Sequence, residues 1–162
     1  MTKTSLSQSQ PTVSIITCTK RPECLNSLLE NYARQNYRNK ELIVILNHSS
    51  LKLSEYQLAA KPYRNVRVYR KPAESSLGSC LNFGVKVSKH SIIAKFDDDD
   101  YYASDYVKDG VHLMIKTSAD IVGKRASKNH GFSSRIQPCS TIFAIHALWG
   151  SIPKSSPFPI AV

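Results

Sequence analysis

The chain has 162 residues, enough for one domain with its own core, and its hydrophobic fraction of 41% is ordinary for a globular protein. Its formal charge of +10 favours anionic partners, such as nucleotides, nucleic acids or acidic membrane surfaces, without choosing among them. No apolar stretch approaches the length of a membrane span, and the polar amino terminus lacks the apolar core of a signal peptide, so neither a membrane-spanning nor an exported protein is predicted.

The four cysteines, Cys18, Cys24, Cys80 and Cys139, show no C-x-x-C spacing and no histidine at metal-ligand spacing. This usage predicts reduced thiols in a cytoplasmic protein. The basic charge leaves open a location at the inner face of the membrane, through peripheral association with acidic lipids.

Buried strands and amphipathic helices alternate along the chain. In chain order we predict strand 13–17, a helix that begins at Pro22, strand 41–46, helix 54–60, strand 66–69, helix 79–88, strand 92–96, helix 105–116 and a strand that begins at residue 121. This alternation predicts an α/β fold with a mostly parallel sheet flanked by helices.

The pattern stops after about residue 125. Residues 1–11 are rich in Ser and Gln and are expected to be a disordered lead-in. Residues 12–125 are expected to form the folded domain. Residues 126–162 hold basic residues but no acid, show no persistent period and are expected to be an irregular basic tail.

Four consecutive aspartates, Asp97 to Asp100, follow directly on the strand 92–96. Adjacent carboxylates repel one another, so a folded protein tolerates them where a cation lies between them. Carboxylate oxygens suit Mg²⁺ or Mn²⁺, and ligands bind at the carboxyl ends of strands in open α/β sheets. A solvated acidic turn is the alternative, and the position after a buried strand favours a metal site.

Familiar nucleotide and calcium motifs are missing. No G-x-G-x-x-G follows the first strand, no G-x-x-x-x-G-K-[ST] occurs, and Tyr101–Tyr102 stands where an EF-hand loop would continue. Three strand ends remain that can face one crevice: residues 17–22, 47–50 and 97–100. A role in nucleic-acid binding is disfavoured, because the aspartates would repel a phosphate backbone and no nucleic-acid motif appears.

Four segments in this order resemble the family 2 glycosyltransferases, which have the GT-A fold: VSIITCTKRP (13–22), QNY with ELIVILNHSS (35–50), LNFGV (81–85) and AKFDDDDYY (94–102). The resemblance covers about residues 12–125 and implies a GT-A, Rossmann-like nucleotide-sugar-binding domain, here apparently truncated. It also implies transfer of a sugar from a nucleotide-diphosphate donor to a saccharide or cell-envelope acceptor, usually with inversion and with Mn²⁺ or Mg²⁺.

The resemblance implies a nucleotide-sugar site at the three strand ends, made of Thr17, Thr19, Asn47, His48, Asp97 and Asp98. Asp97 matches the acid that contacts the ribose, and Asp99 matches the metal ligand beneath the diphosphate. Asp98 and Asp100 are expected to tune the site.

Several of these residues have a structural alternative. Thr17 is equally explained as an ordinary strand residue, and His48 as a solvated turn residue. The Tyr101–Tyr102 pair either stacks on a base or sugar or packs against the protein. The Lys20–Arg21 pair either holds phosphate or faces solvent.

Departures from the family pattern put the activity in question. Asn47 replaces an expected acid, and Leu81 stands where many relatives carry Arg. An inverting transferase needs a base to deprotonate the acceptor, normally a carboxylate, yet no Asp or Glu follows Asp120. We therefore expect a glycosyltransferase, or the donor-binding half of one, with no assigned catalytic base. The alternative is a truncated, inactive module that binds a nucleotide diphosphate.

Overall fold

Strands and helices alternate from Val13 onwards in the computed structural model, which describes residues 10–123 and 142–145. The strands are β1 (Val13–Thr19), β2 (Lys40–Leu46), β3 (Val66–Arg70), β4 (Ile92–Phe96), β5 (Ile121–Gly123) and β6 (Ile142–Ile145). The helices are α1 (Leu25–Arg34), α2 (Leu53–Ala60), α3 (Leu77–Val87) and α4 (Tyr106–Thr117), with a short 3₁₀ turn at Pro22–Cys24 before α1.

The strands form one sheet in the order β3-β2-β1-β4-β6-β5. β1 pairs in parallel with both β2 and β4, and β3 pairs in parallel with β2. β6 runs antiparallel between β4 and β5. The predicted α/β fold with a mostly parallel sheet is therefore confirmed, and the carboxyl ends of β1, β2 and β4 meet at one edge, called the carboxyl edge below.

β6 was not predicted, because no element was expected after residue 125. Its four residues are too few to show a period, and the pairing of Ile145 to Phe143 with Ile92 to Ala94 defines the strand. Residues 1–9 of the expected lead-in, and the expected tail apart from β6, lie outside the described residues. The division of the chain at residues 12 and 125 stays a prediction.

β1 and β2 are buried on both faces, as their nearly continuous apolar runs predict. One face packs on α1 and α4, and the other on α3 through Ile16, Ile43 and Ile45. Gly84 of α3 lies so close to this second face that a Cβ there would be 2.6 Å from Ile16 Cγ2. The missing side chain of Gly84 thus allows α3 to pack closely on the sheet.

A buried acid, Glu41, links several strands at the end of the sheet opposite to the carboxyl edge. Glu41 accepts hydrogen bonds from Ser14 Oγ at 2.6 Å, from the Lys89 backbone N–H at 2.7 Å and from Arg67 Nη2 at 2.8 Å. Burial alone would raise the pKa of Glu41, but these donors outweigh it and the pKa is lowered. Glu41 thus joins β1, β2, β3 and the loop before β4 at the end of the sheet away from the aspartates.

None of the helices in the described ranges has the length and apolar content needed to cross a bilayer.

Candidate functional site

The fold brings the three predicted strand ends together. Thr17 lies opposite Val44 of β2 and Phe96 of β4 in the sheet register. The Asn47 backbone N–H donates to the Thr19 carbonyl at 2.9 Å. The residue that follows β2 is therefore hydrogen-bonded to the last residue of β1. The carboxyl edge therefore carries polar side chains from three neighbouring strands.

Asp98 is held by the residues that follow β1. Thr19 Oγ1 donates to Asp98 Oδ2 at 2.6 Å. Arg21 donates to the same carboxylate twice, from Nη2 to Oδ1 at 2.5 Å and from Nε to Oδ2 at 3.3 Å. The Asp98 side chain is only 8% exposed, so both its charge and its hydrogen-bonding capacity are met from within the protein.

The same guanidinium reaches the next aspartate. Arg21 Nη1 lies 3.0 Å from Asp99 Oδ2, and hydrogen bonding to Arg21 lowers the pKa of Asp99. The Asp99 side chain is 55% exposed, whereas that of Arg21 is 45% exposed. Arg21 is thus partly exposed to solvent and at the same time lies between two carboxylates as their counter-ion. We call Thr19, Arg21, Asp98 and Asp99 the Arg21 network.

Asp97 has a separate partner. Lys95 Nζ lies 2.8 Å from Asp97 Oδ1 and 3.0 Å from Oδ2. The Asp97 backbone N–H donates to the Tyr102 hydroxyl at 2.7 Å, and the Tyr102 ring stacks on Phe96 with centroids 3.7 Å apart. Tyr102 is thus a packed residue, whereas Tyr101 is exposed beneath the Arg34 guanidinium at 4.4 Å.

Two buried side-chain amides, one in α1 and one directly after it, hold the loop that contains the aspartates. Asn31 Nδ2 donates to the Asp100 carbonyl at 2.7 Å, and Asn31 Oδ1 accepts from the Tyr102 N–H at 3.1 Å. Gln35 Nε2 donates to the Ala103 carbonyl at 2.9 Å. The sequence analysis assigned neither amide a role, although Asn31 lies three residues after Leu28 on the inward face of α1 and Gln35 directly follows the helix.

The two predicted residues after β2 differ in environment. Asn47 is fully buried, and its Nδ2 donates to the Ser75 carbonyl at 2.8 Å. Its Oδ1 has no hydrogen-bond partner in the described part of the chain. His48 is exposed, and its Nδ1 lies 2.8 Å from Ser50 Oγ and 3.2 Å from the Ser50 N, which is the arrangement of a polar turn.

Thr17 is buried beneath the edge. Its side chain borders a void too tight for a water molecule, together with Leu28, Asn31, Leu42, Phe96 and Asp97. Its Oγ1 has no partner among the described residues. Buried polar atoms without partners are rare and costly, so the hydrogen bonding of Thr17 and Asn47 is incomplete within the described part of the chain.

The residues present suit a particular kind of metal binding. Within residues 10–123 and 142–145, no three His, Cys, Asp or Glu side chains converge on a shared point. Mg²⁺ is commonly held by one or two carboxylates together with waters and substrate phosphates. The exposed carboxylate of Asp99 suits such a shared site, in which the ligand supplies the remaining oxygens.

Comparison with known proteins places these observations in a family. The profile of glycosyl transferase family 2 matches residues 13–155. No curated protein matches the chain in sequence.

Three solved structures illustrate the likeness in fold. S. aureus TarS 1–349 matches with a TM-score of 0.64 and 16% identity, covering 82% of this chain and 47% of that one. Its complex with UDP gives 0.60 and 19%, covering 75% and 38%. The mannosyltransferase PcManGT from Pyrobaculum calidifontis, in complex with GDP-Man and Mn²⁺, gives 0.64 and 16%, covering 74% and 37%. The chain spans less than half the length of each, and identities this low show the shared fold alone.

Proposed function

Because the chain belongs to glycosyl transferase family 2, we propose that its carboxyl edge binds a nucleotide-diphosphate sugar together with Mn²⁺ or Mg²⁺. The observation that carries this proposal is the Arg21 network, which presents a guanidinium and an exposed carboxylate side by side. An anionic diphosphate and a divalent cation need those two charges as neighbours.

The proposed division of labour follows from exposure. Arg21, together with the exposed Lys20, offers positive charge to the diphosphate. Asp99 offers a carboxylate oxygen to the metal, and Asp97 is the proposed contact to the ribose. A divalent cation bound there would neutralise the charge that develops on the departing nucleoside diphosphate.

The nucleoside is proposed to lie against the ends of β1 and β2. Thr17 and Thr19 are buried and are proposed to form the floor of this region. The Thr19 hydroxyl contributes indirectly, because its hydrogen bond holds the Asp98 carboxylate in place. The amide of Asn47 is oriented by its bond to the Ser75 carbonyl, and its Oδ1, which has no partner among the described residues, is the proposed acceptor for a base N–H. His48, in its exposed turn, is proposed to flank the base.

The similar structures agree with a nucleotide donor without selecting one. The TarS structures include complexes with UDP and with UDP-GlcNAc, and the PcManGT structure holds GDP-Man and Mn²⁺. The proposed reaction is inverting transfer to a saccharide or cell-envelope acceptor.

A second proposal concerns this chain by itself: it binds the donor but does not transfer the sugar. The observation that favours it is the absence of any Asp or Glu after Asp120, so no carboxylate base is available from that part of the sequence. His130 and His146 are the remaining candidates for a base there, and both lie outside the described residues.

Calorimetry tests the donor proposal. UDP, GDP, ADP and CDP are titrated separately into the protein, with Mn²⁺ or with excess EDTA. We expect at least one nucleoside diphosphate to bind with Mn²⁺ and none to bind comparably in EDTA. Equal binding of the same nucleotide in EDTA would contradict the metal part of the proposal, and no binding under any condition would contradict the donor part.

A further inference from the structure

Arg21 stands where the sequence led us to expect a metal ion. Adjacent carboxylates need positive charge between them, and the guanidinium supplies it. It makes two hydrogen bonds to Asp98 and one ion pair to Asp99, at 3.0 Å. Because Asp98 is buried and also held by Thr19, the guanidinium is anchored on its Asp98 side and aimed at Asp99.

The charges at the edge are therefore compensated only in part. Lys95 matches the charge of Asp97, whereas Arg21 serves Asp98 and Asp99 together and leaves one negative charge between them. A divalent cation that arrives alone at Asp99 meets a carboxylate oxygen already engaged in an ion pair and a guanidinium close by. That combination opposes binding of the free cation.

We propose that Arg21 is the resident counter-ion of Asp98 and Asp99 and makes metal binding at Asp99 conditional on the donor's diphosphate. This inference rests on the proposed function. A nucleoside diphosphate brings negative charge that offsets Arg21, and it supplies the further oxygen ligands that Asp99 lacks. Metal and diphosphate then each raise the other's affinity by the same factor, as linkage requires.

A merely structural role for Arg21 predicts something different. If Arg21 only stabilised the strand end, its loss would lower stability and weaken both ligands alike. As a counter-ion, Arg21 opposes the free cation, so its removal should tighten binding of Mn²⁺ alone while it reduces the gain from the diphosphate. The two roles thus predict opposite signs for the affinity of free Mn²⁺.

The test measures Mn²⁺ affinity by electron paramagnetic resonance of free Mn²⁺, with and without a saturating nucleoside diphosphate chosen from UDP, GDP, ADP and CDP. The proteins are the wild type, Arg21→Gln, Asp99→Asn and Arg38→Gln. Arg38 is exposed, lies before β2 and supplies the same change of charge at the other end of the sheet. Circular dichroism establishes that each variant is folded.

In the wild type we expect the diphosphate to raise Mn²⁺ affinity by about tenfold or more, within the usual range of coupling between sites. In Arg21→Gln, Mn²⁺ alone should bind about tenfold more tightly, and the gain from the diphosphate should shrink. Arg38→Gln should behave as the wild type, and Asp99→Asn should lose the effect of the diphosphate.

Two results separate the failure of this inference from the failure of the proposed function. If the diphosphate raises Mn²⁺ affinity in the wild type but Arg21→Gln binds free Mn²⁺ no more tightly, the counter-ion role is wrong and donor binding stands. If no diphosphate changes Mn²⁺ affinity in the wild type, the proposed metal–donor site fails, and the inference fails with it. Should Arg21→Gln not fold, tight binding of Mn²⁺ by the wild type without nucleotide would overturn the inference by itself.

Discussion

Arg21 and Asp98, 77 positions apart in the sequence, are joined by two hydrogen bonds between the ends of β1 and β4. The carboxylate is buried, so its charge is stable only while these bonds and the one from Thr19 are present. The pair therefore serves both the fold and the proposed site.

Replacing Asp98 should cost more stability than replacing its neighbour Asp99. Asp98→Asn weakens a buried acceptor of three hydrogen bonds, and we expect a loss of about 1–3 kcal/mol in the free energy of unfolding. Asp99→Asn affects an exposed ion pair and should cost less than about 1 kcal/mol. Urea denaturation of both variants measures the difference; equal losses would contradict the central position assigned to Asp98.

Two glycines of α3 provide a matched pair of substitutions. A Cβ at Gly84 would lie 2.6 Å from Ile16 Cγ2 and 3.1 Å from Ile45 Cδ1, so Gly84→Ala should destabilise the protein by about 1–3 kcal/mol. A Cβ at Gly78 would meet nothing within 4 Å, so Gly78→Ala should be neutral or slightly stabilising. Thermal denaturation compares them, and the close packing of α3 is contradicted if Gly84→Ala is as stable as the wild type.

Glu41 should make stability depend on acid pH. Its pKa is lowered in the folded protein, so the folded state binds the proton less tightly than the unfolded state does. The stabilisation is complete above the ordinary glutamate pKa and is lost as the pH falls below it, through the lowered pKa. Glu41→Gln should reduce the free energy of unfolding at pH 7 and should make that free energy fall less steeply as the pH is lowered. Urea midpoints measured from pH 7 to pH 3 test both effects. A variant whose stability falls with pH as steeply as that of the wild type would contradict them.

The strands and the helices that face the sheet could largely be predicted, because each carries a local pattern of apolar residues. β2 contains the continuous apolar run 42–46, β4 is apolar except for Lys95, and α4 repeats its apolar residues at helical spacing. β6 could not be predicted, since its pairing with β4, far away in the sequence, defines it. Local periodicity contains no information about such a partner.

The candidate site was likewise predictable only where local sequence patterns define it. Its location followed from strand ends and from the run of aspartates, both of which are local signals. The pairing of Arg21 with Asp98, the contacts of Asn31 to the loop, and the buried position of Glu41 depend on which strands become neighbours. The repulsion among the carboxylates predicted a positive charge between them. In this structure the Arg21 side chain supplies that charge for Asp98 and Asp99.

The chain should bind donor without transferring sugar. Transfer needs an acceptor-binding wall and a base, and loss of a general base alone typically costs about 10²–10⁴-fold in rate. A transfer assay with nucleotide sugars and cell-envelope saccharide acceptors measures product formation, and hydrolysis of the donor serves as the control reaction. Turnover on the order of 1 s⁻¹ would contradict the prediction.

The central claim is that a metal and a nucleoside diphosphate bind together at the carboxyl edge, beside Asp99. Paramagnetic broadening of amide resonances by Mn²⁺ tests it most directly, because the broadening marks the residues nearest the ion. We predict that Mn²⁺ added with the bound nucleoside diphosphate broadens resonances at residues 19–21 and 97–100 first, and that Asp99→Asn abolishes this effect. Broadening centred elsewhere, or unchanged in Asp99→Asn, would contradict the claim.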